Sequence, residues 1–269
     1  MDIRDKSTKF NKSNFMQKLS VVIITFNEER NIARCLESVK DIADEMVVVD
    51  SFSTDNTRKI AESYGARVIE HPFEGHIQQK NYAITQATYP HQLSLDADEA
   101  LTEELRQEII KVKENWQSDG YRMNRLSNYC GRWIRHGGWY PDTKLRLFDS
   151  RKGAWGGTNP HDIFEMKKNS KISFLKGDFL HFTYYSLKEH LDVSYKYADI
   201  MAGEMLKKKK KVGFPKKFAS PIIKFIKIYF FKRGFLDGGL GLMIAWTAAY
   251  STFLKYELYS QKRKKLNEK

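Results

Sequence analysis

A chain of 269 residues with 41% hydrophobic residues is long enough for one large domain, or for one domain with an appendage. Its only cysteines, Cys35 and Cys130, lie far apart and lack metal-ligand spacing, which argues against a disulfide framework and a zinc site and favours a reducing compartment. The net charge of +13 comes from the end of the chain, because 17 of the 46 Lys and Arg but only 3 of the 33 Asp and Glu lie from Leu206 onward. The near-neutral front and the basic tail are therefore expected to have different partners.

The first part of the chain alternates between strand-like and helix-like segments. Residues 1–18 are polar, lack the apolar core of a signal peptide and are predicted to form a disordered leader. An apolar, β-branched run and three further strand-like segments follow, each with a helical segment before the next. The predicted strands are 19–26, 46–49, 67–70 and 91–95, and the predicted helices are 28–40, 53–65 and 76–87. Asn27 and Ser53 are the expected helix caps, and Gly65 the expected left-handed stop. This alternation predicts βαβ units and a mainly parallel sheet.

Polar residues follow the carboxyl ends of the predicted strands, where parallel sheets bind their ligands. These residues are Thr25, Asn27, Asp50, Asp96 and Asp98. Their convergence is the first functional signal in the sequence.

The middle of the chain is less regular. Thr102 is expected to cap a short helix, residues 120–149 to form short strands and aromatic loops, and residues 152–181 to continue irregularly. A further helix is predicted from Ser186 to about Lys210, running into a block of five lysines.

Asp96 and Asp98 form a DxD motif directly after the fourth predicted strand. Two carboxylates so placed can bind a hard divalent cation and its diphosphate, and the cation assists departure of a nucleotide. An acidic surface turn is the alternative for a bare DxD. The position of this pair after a buried strand favours the metal site.

Two further segments are candidates for holding a nucleotide. Asp50 could accept hydrogen bonds from a base or ribose, although helix capping by Ser53 or Asp55 explains the same segment. Lys80, beside Asn81, could pair with a phosphate or remain solvated. The first loop contains no glycine, which excludes a dehydrogenase-type phosphate cradle, and no Walker-type lysine loop is present.

The segments VVIITFNEERNI, VVVDSFSTDNT, QQKNYAI and LSLDADE, in this order and spacing, resemble glycosyltransferase family 2, whose fold is named GT-A. The later segments GGWYPDTKLRLF, HDIFE, KGDFLHFTYYS and GFLDGGLGL are similar to a branch that includes lipopolysaccharide-core sugar transferases. The resemblance covers residues 18–254. It implies an α/β fold of the GT-A, Rossmann-like type and an inverting enzyme that acts by one in-line displacement.

The resemblance also implies roles for individual residues. Asp96 would lie against the ribose, Asp98 would bind the metal, and His181 would be a further metal or diphosphate contact. Asp162 would be the catalytic base. The remaining donor contacts, to uracil and ribose, would come from Thr25, Asn27, Glu28 and Asp50.

The chain departs from the pattern of this branch at His161-Asp162, where His-Glu is usual. Aspartate is shorter by one methylene group, so its reach to the acceptor oxygen depends on geometry. Glu165 is the reserve candidate for the base, and Asp162 as a turn residue after Pro160 is the structural alternative. For His181 the alternative is a satisfied core histidine.

Aromatic and basic residues between the motifs suit sugar rings and acidic substituents of an acceptor. The same aromatics could instead fill the core beside the sheet. The acceptor-binding candidates are Trp139, Tyr140, Arg146 and His161.

The tail reads as a basic amphipathic helix followed by an apolar segment. Lysines at 216, 217, 224, 227 and 232 fall on one arc of a helical wheel with Ile, Phe and Tyr opposite, which suits an anionic membrane interface. Residues 234–254 approach the length of a bilayer span, about 20 residues, but Asp237 and four glycines weaken that assignment. Gly241, Ala245 and Ala249 at four-residue spacing indicate close helix packing, which could join subunits.

The sequence therefore predicts a GT-A domain over residues 19–211 and a helical, membrane-associating tail over 212–269. The expected activity is transfer of a hexose from a UDP-sugar to a lipid-linked or lipopolysaccharide-core saccharide with Mn²⁺ or Mg²⁺. The expected location is the cytosolic face of the inner membrane, where the protein would be peripheral. No nucleic-acid partner is expected. The C-terminal helices could also join copies of the chain into homo-oligomers.

Four alternatives stay open at this point. A polyprenyl phosphate could be the acceptor. A nucleotidyltransferase would need an early Gly-rich signature, which the chain lacks. The lysine-rich tail could bind nucleic acid. Because Asp162 replaces the usual Glu, the chain could also be a non-catalytic scaffold at the membrane surface.

Overall fold

The computed structural model describes residues 16–159, 161–208 and 213–267. Most of the expected leader and the expected boundary at 211/212 lie outside the described residues. The strands are β1 (Leu19–Thr25), β2 (Glu45–Asp50), β3 (Arg67–Glu70), β4 (His91–Asp96), β5 (Glu99–Leu101), β6 (Gly120–Tyr129), β7 (Arg132–Ile134), β8 (Asp142–Asp149), β9 (Gly153–Thr158), β10 (His161–Met166) and β11 (Ile172–Tyr184). The α-helices are α1 (Ile32–Val39), α2 (Thr57–Ser63), α3 (His76–Gln86), α4 (Glu103–Glu114), α5 (Leu187–Lys207), α6 (Phe214–Ile226) and α7 (Gly238–Asn267).

One mixed sheet organises the molecule. Its strand order is β3-β2-β1-β4-β8-β6-β11-β5, with β7 paired to β6, while β9 and β10 form a separate hairpin. The predicted parallel arrangement holds for the first four strands in that order. From β8 onward most pairs are antiparallel, apart from β6 with β11. The α/β class with flanking helices is confirmed, and the sheet is mixed beyond β4.

The central strand β1 is buried on both faces, which explains its unbroken apolar sequence. Val21 and Ile23 belong to the core shared with α1 and α4. Val22 and Ile24, on the opposite face, pack with Ala83 of α3. Helices on both faces thus hold β1 in the middle of the sheet.

Two predicted caps have other roles. Asn27 adopts a positive φ of 52°, and α1 begins only after Asn31. The α2 helix begins after Asn56, while Ser53 hydrogen-bonds to Asp50. Gly65 does have the predicted left-handed conformation, with φ of 77°, and Thr102 does cap α4.

The region predicted to be irregular is instead largely strand. The 13-residue strand β11 carries His181 into the main sheet beside β6. Its pairing with β6 shifts between Phe174 and Asp178, and Gly177 lies there at φ of 81°. This irregularity interrupts the two-residue alternation by which strands are recognised.

The tail packs onto the rest of the chain. Ile228, Ile244 and Ala245 form one buried cluster with Tyr129 and Ile134 of the sheet. The end of α7 packs on α5 through a second cluster. None of the helices in the described ranges combines the length and apolarity that a membrane span requires.

Candidate active site

Strand register brings the predicted polar residues to one edge of the sheet. In the parallel pairing, Thr25 is opposite Asp50, and Ile24 is opposite Asp96. Asp98 follows two residues after Asp96. The carboxyl ends of β1, β2 and β4 therefore form a common rim, as the sequence predicts.

Side chains link the loops that follow β1 and β2. The backbone N–H groups of Asn27 and Glu28 donate to the hydroxyls of Ser53 and Thr57, each at 2.8 Å. In return, the Asn27 Oδ1 atom accepts from the backbone N–H of Thr54 at 2.8 Å. Asn27 thus shapes the rim through the same left-handed turn that prevents it from capping α1.

Asp50 supports the second of these loops. The carboxylate is fully buried, and its two oxygens accept from the backbone N–H and the hydroxyl of Ser53. A carboxylate satisfied by its own loop is held rigidly beneath the rim.

A cleft of about 1040 Å³ opens at this edge. It is bounded by the ends of β1 and β4, by β6, β8 and β11, by α3 and by the β9–β10 hairpin. Eight of the predicted site residues line it: Thr25, Glu28, Lys80, Asp96, Asp98, Arg146, Asp162 and His181. Five others with described side chains do not line it, namely Asn27, Asp50, Asn81, Trp139 and Tyr140. The side chain of His161 lies outside the described residues.

Asp98 and His181 are neighbours in the cleft although 83 positions separate them in the chain. The His181 Nε2 atom lies 3.1 Å from Asp98 Oδ2, and its Nδ1 atom lies 3.0 Å from the hydroxyl of Thr183. Burial disfavours the imidazolium, but the charge and hydrogen bond of Asp98 outweigh it, so the pKa of His181 is raised. His181 is therefore a polar cleft residue and not a histidine satisfied within the apolar core.

These two side chains fit a divalent cation that also takes ligands from a substrate. The described residues contain no group of three or more His, Cys, Asp or Glu side chains arranged for a metal. Mg²⁺ is commonly held by one or two carboxylates together with waters and substrate phosphates. Asp98 supplies one such carboxylate at the cleft, and His181, which is hydrogen-bonded to Asp98, could add a nitrogen ligand in its neutral form.

A buried cluster of charges lies beside the Asp98–His181 pair. Lys80 is only 2% exposed, and its Nζ atom lies 2.7 Å from Asp162 Oδ2 and 3.0 Å from Asp96 Oδ1. Arg146 Nη2 lies 3.1 Å from Asp96 and 2.8 Å from Glu99. Lys80 therefore links the DxD motif to the candidate base.

Burial and pairing act in opposite directions on the ionisation of this cluster. Burial would raise the pKa of Asp96, but the positive charges of Lys80 and Arg146 hold it well below the usual value. At Glu99, burial, with the nearby charge of Asp96, outweighs Arg146 and raises the pKa. Burial also raises the pKa of Glu28 to about 7, against the hydrogen bond from Asn31.

The β9–β10 hairpin, which carries Asp162, is fastened to α3, which carries Lys80. The Asn81 side chain both donates to and accepts from the backbone of Trp155, each at 2.9 Å. Asn159 accepts from the backbone N–H of Ile77 at 3.0 Å. Asn81, a predicted donor contact, thus positions the hairpin from outside the cleft.

The two candidate bases lie on opposite faces of the hairpin. Asp162 and Glu165 are an odd number of residues apart on one strand, so their side chains leave opposite faces. Asp162 lines the cleft, whereas Glu165 is exposed and its carboxyl group lies over Gly156. Of the two carboxylates, Asp162 is the one that faces the cleft.

The aromatic acceptor candidates are occupied elsewhere. Trp139 packs edge-on against Tyr129, with ring centroids 5.7 Å apart, in a cluster with Tyr184 and His190. The hydroxyl of Tyr140 donates to Asp178 at 3.0 Å. Trp139 thus packs against a buried cluster, as the core-filling alternative predicts, whereas Tyr140 is half-buried and bonded to Asp178.

Several cleft residues were absent from the sequence-based set. Tyr197 reaches the cleft from α5, and burial, followed by the charges of Asp162 and Asp98, raises its pKa. Trp155 contributes a ring whose centroid lies 4.7 Å from Lys80 Nζ. Glu99 does not line the cleft but accepts from the backbone N–H of Asp96 and pairs with Arg146, and its position directly after the DxD motif could have identified it. Nothing local in the sequence marks Tyr197 or Trp155.

The amino-acid sequence of this chain matches the model of a known enzyme family. The model of the family described as Glycosyl transferase family 2 matches residues 20–174, more than half of the chain. The chain belongs to glycosyltransferase family 2. It is accordingly a glycosyltransferase, and the rim, the DxD motif and β8 all lie within the matched range.

Curated relatives extend the similarity over most of the chain. An uncharacterized glycosyltransferase of Rickettsia typhi is 32% identical over 251 residues, which cover 89% of this chain and 86% of that protein. The lipopolysaccharide core biosynthesis glycosyltransferase LpsC of Rhizobium meliloti is 30% identical over 250 residues, 88% of this chain and 89% of that protein. Both matches reach beyond the family model into the tail.

Solved structures show a more distant likeness. S. aureus TarS 1–349 in complex with UDP aligns with a TM-score of 0.46 and 17% identity over 92% of each chain. Glucosyl-3-phosphoglycerate synthase from Mycobacterium tuberculosis, in complex with Mn²⁺, UDP and glucosyl-3-phosphoglycerate, aligns with a TM-score of 0.36 and 21% identity over 42% of this chain and 44% of that one.

Proposed function

We propose that this glycosyltransferase is inverting and metal-dependent and moves a hexose from a UDP-sugar to a lipid-linked or lipopolysaccharide-core saccharide. The observation that carries the proposal is the convergence of Asp98, His181 and Asp162 on one cleft at the carboxyl edge of the sheet. The similarity to LpsC supports the acceptor class. A polyprenyl phosphate is the alternative acceptor.

The nucleoside of the donor is assigned to the rim formed by the loops after β1 and β2. Thr25 and Glu28 line the cleft there, and Asn27 and Asp50 fix the shape of the two loops. Asp96 is assigned to the ribose side of the same rim. These roles follow from the family resemblance and from the common rim.

Unpaired donors in the cleft wall suit the diphosphate. Among the described residues, the Nε and Nη1 atoms of Arg146, the hydroxyl of Thr25 and the Nε1 atom of Trp155 are buried without a hydrogen-bond partner. Buried donors without partners are costly, and a ligand rich in acceptor oxygens would satisfy them if the cleft wall moved to admit it. A diphosphate is such a ligand, and a guanidinium group recognises it well.

Asp98 and His181 would hold the divalent cation. When bound, Mn²⁺ or Mg²⁺ would offset the negative charge that develops on the departing UDP. The two residues leave the other sides of the site to the diphosphate and water.

Asp162 is assigned the role of general base. It accepts the proton of the acceptor hydroxyl while that oxygen forms a bond to the anomeric carbon and the bond from that carbon to the UDP oxygen breaks. The attack and the departure occur on opposite sides of the sugar, which inverts the anomeric centre. Lys80 and the Asn81–Trp155 link hold the carboxylate in place, and such positioning supplies much of the rate.

We assign the reaction to the cytosolic face of the inner membrane, where a lipid-linked acceptor would meet a cytosolic UDP-sugar. The enzyme would be peripheral there and would need no nucleic-acid partner. A catalytic domain ending near residue 211 and a membrane-associating tail remain the proposed organisation.

A panel of sugar nucleotides, tested for binding and slow hydrolysis with Mn²⁺, Mg²⁺ or a chelator, examines the proposal. We expect one UDP-hexose to be hydrolysed with either cation and not with the chelator. Asp98→Asn should lower that hydrolysis by about 100-fold or more, because a metal ligand is lost. Asp41→Asn, an exposed aspartate outside the cleft, is the matched control and should leave the rate unchanged. A chelator-resistant rate, or full activity in Asp98→Asn, would remove the metal from the mechanism.

A further inference from the structure

The turn between α6 and α7 exposes an unusual concentration of large apolar side chains. A π-helical turn (Lys227–Phe231) and a 3₁₀ turn (Gly234–Asp237) connect the two helices. We name four of their residues the tail tip: Phe230, Phe231, Phe235 and Leu236. They are 56%, 82%, 45% and 54% exposed. The ring of Tyr229 contacts both Phe230 and Phe235, so the tip forms one patch.

Further exposed apolar side chains extend from the tip along both helices. On α6, Ile222 and Ile226 are exposed and lie four residues apart, with Phe230 at the next step. On α7, Leu242, Trp246 and Tyr250 repeat at the same spacing. Residues four apart lie on the same face of a helix, so each helix carries an exposed apolar stripe.

Several basic residues lie in the same segment, and the one carboxylate of the connecting turn, that of Asp237, is already bonded to His136. Lys224, Lys227, Lys232 and Arg233 have no ion-pair partner in the part of the chain that the structure describes. Burial, and then the repulsion of Lys232, Lys227 and Lys255, lowers the pKa of Lys224. Like charges held this close favour an anionic partner.

We propose that the tail tip inserts into the interface of an anionic lipid bilayer while basic residues of the same segment contact the lipid headgroups. The exposed apolar area supplies the insertion energy, and the basic residues supply the preference for anionic lipid. Trp246 and Tyr250, farther along the exposed stripe of α7, are of the types that are enriched at membrane–water interfaces. A second copy of this chain is a poorer partner, because a two-fold contact would place the same lysines against each other.

The tip is rigidly connected to the catalytic domain. Asp237 accepts from the backbone N–H of His136 at 2.9 Å and lies 2.9 Å from the Nδ1 atom of the same residue. Gly137 donates from its backbone to Lys232 at 2.8 Å. The segment containing His136 leads into β8, where Thr143 and Lys144 line the cleft. Insertion of the tip would therefore fix the orientation of the cleft relative to the lipid surface.

This inference deepens the proposed function and rests on it for its purpose, because a lipid-linked acceptor is presented at a membrane surface. Vesicle binding without any sugar nucleotide tests it separately. The full chain is mixed with vesicles of phosphatidylcholine alone, or of phosphatidylcholine and phosphatidylglycerol in equal parts, and the bound fraction is measured by flotation. We expect strong binding to the anionic vesicles and weaker binding to the neutral ones.

Phe231→Ser should lower the partition coefficient for anionic vesicles by roughly tenfold or more, because an aromatic side chain no longer enters the interface. Phe174→Ser is the matched control, since Phe174 is 55% exposed on β11. Lys227→Gln should weaken binding to anionic vesicles by about fivefold and leave binding to neutral vesicles unchanged. Lys59→Gln on α2 makes the same charge change at another exposed site.

Two results would overturn the inference. One is equal binding of wild type, Phe231→Ser and Phe174→Ser to the anionic vesicles. The other is a wild-type dimer in sedimentation that Phe231→Ser dissociates, with no vesicle binding by either protein, which would make the tip a self-association surface. Neither result depends on sugar transfer, so the proposed function could stand or fail independently.

Discussion

Asp162 and Glu165 have the same functional group on one strand but face different surroundings. Asp162 lies in the cleft wall and pairs with Lys80, whereas Glu165 is exposed. We predict that Asp162→Asn lowers the rate of donor hydrolysis by about 10²- to 10⁴-fold, because the amide has the same shape but cannot accept the proton. Hydrolysis is the suitable readout, since water then takes the place of the acceptor hydroxyl.

Two matched variants show whether the loss of activity is due to the carboxylate of Asp162. Glu165→Gln should change the rate by less than about threefold, as expected for an exposed side chain. Asp162→Glu keeps the base and should retain more activity than Asp162→Asn. If Glu165→Gln were the inactive variant, the assignment of the base would have to be exchanged.

The sequence predicted the residues of the rim better than the side chains that contact them. Asp50, Asp96 and Asp98 could be placed together because each follows a strand whose apolar pattern is local. Arg146 was predicted as a site residue, but its pairing with Asp96 and Glu99 was not, and Tyr197 was missed altogether. Both contacts arise through folding of distant segments, and no local pattern records them. For Asn81, the same sequence position is compatible with lining the cleft or with holding the hairpin, and only the structure distinguishes them.

At the scale of elements, the β/α alternation of the first hundred residues was predictable because short strand-like segments, led by the apolar run of β1, are separated by helical patterns. The hairpin β9–β10 was not, since its strand GAWGGT is rich in glycine and gains stability only by pairing with HDIFEM. The strand β11 was missed for a related reason, because a shift in its pairing with β6 interrupts the alternation. Elements that depend on long-range pairing thus escaped the sequence pattern.

The small residues of α7 provide an element-scale prediction. A Cβ atom at Gly241 would lie 1.8 Å from the backbone oxygen of Gly234, whereas a Cβ atom at Gly239 would meet nothing within 4 Å. We predict that Gly241→Ala lowers the free energy of unfolding by about 1–3 kcal/mol, because α7 must move away from the 3₁₀ turn. Denaturant unfolding measures the change.

Gly239→Ala is the control on the same helix and should alter the free energy of unfolding by no more than about 1 kcal/mol. Equal stability of the two variants would show that the contact of Gly241 is not tight. The contact also explains the Gly241–Ala245 spacing within a single chain: Ala245 is fully buried against the sheet cluster. Packing between subunits is not required to account for it.

At the scale of the whole molecule, one aromatic cluster joins the sheet, α5 and the tail. His190 on α5 stacks on Tyr184 at 4.4 Å, and its Nδ1 atom lies 3.0 Å from the hydroxyl of Tyr129. Tyr129 in turn packs with Ile228 and Ile244 of the tail. The rings around His190 offer it no carboxylate, and burial lowers its pKa to about 4.

This shift predicts that the protein loses stability in mild acid. The unfolded chain binds a proton at His190 below about pH 6.5, whereas the folded protein keeps the imidazole neutral until about pH 4. The contribution of His190 is therefore fully present above about pH 6.5 and decreases as the pH falls toward 4. Allowing for partial screening by solvent, we expect it to reach about 2 kcal/mol.

Denaturant unfolding of the wild type and of His190→Asn, at about pH 7 and about pH 5, isolates the contribution of His190 to the free energy of unfolding. Asparagine does not titrate and can still bond to Tyr129, so the variant should lose less stability between the two pH values than the wild type does. His181, whose pKa is raised, contributes in the opposite direction but equally in both proteins. The difference in pH dependence between the two proteins is therefore due to His190. If the free energy of unfolding changed equally with pH in both proteins, the aromatic cluster would have to open readily to water. A cluster that stays closed, in contrast, makes the tail part of the same cooperative unit as the catalytic sheet.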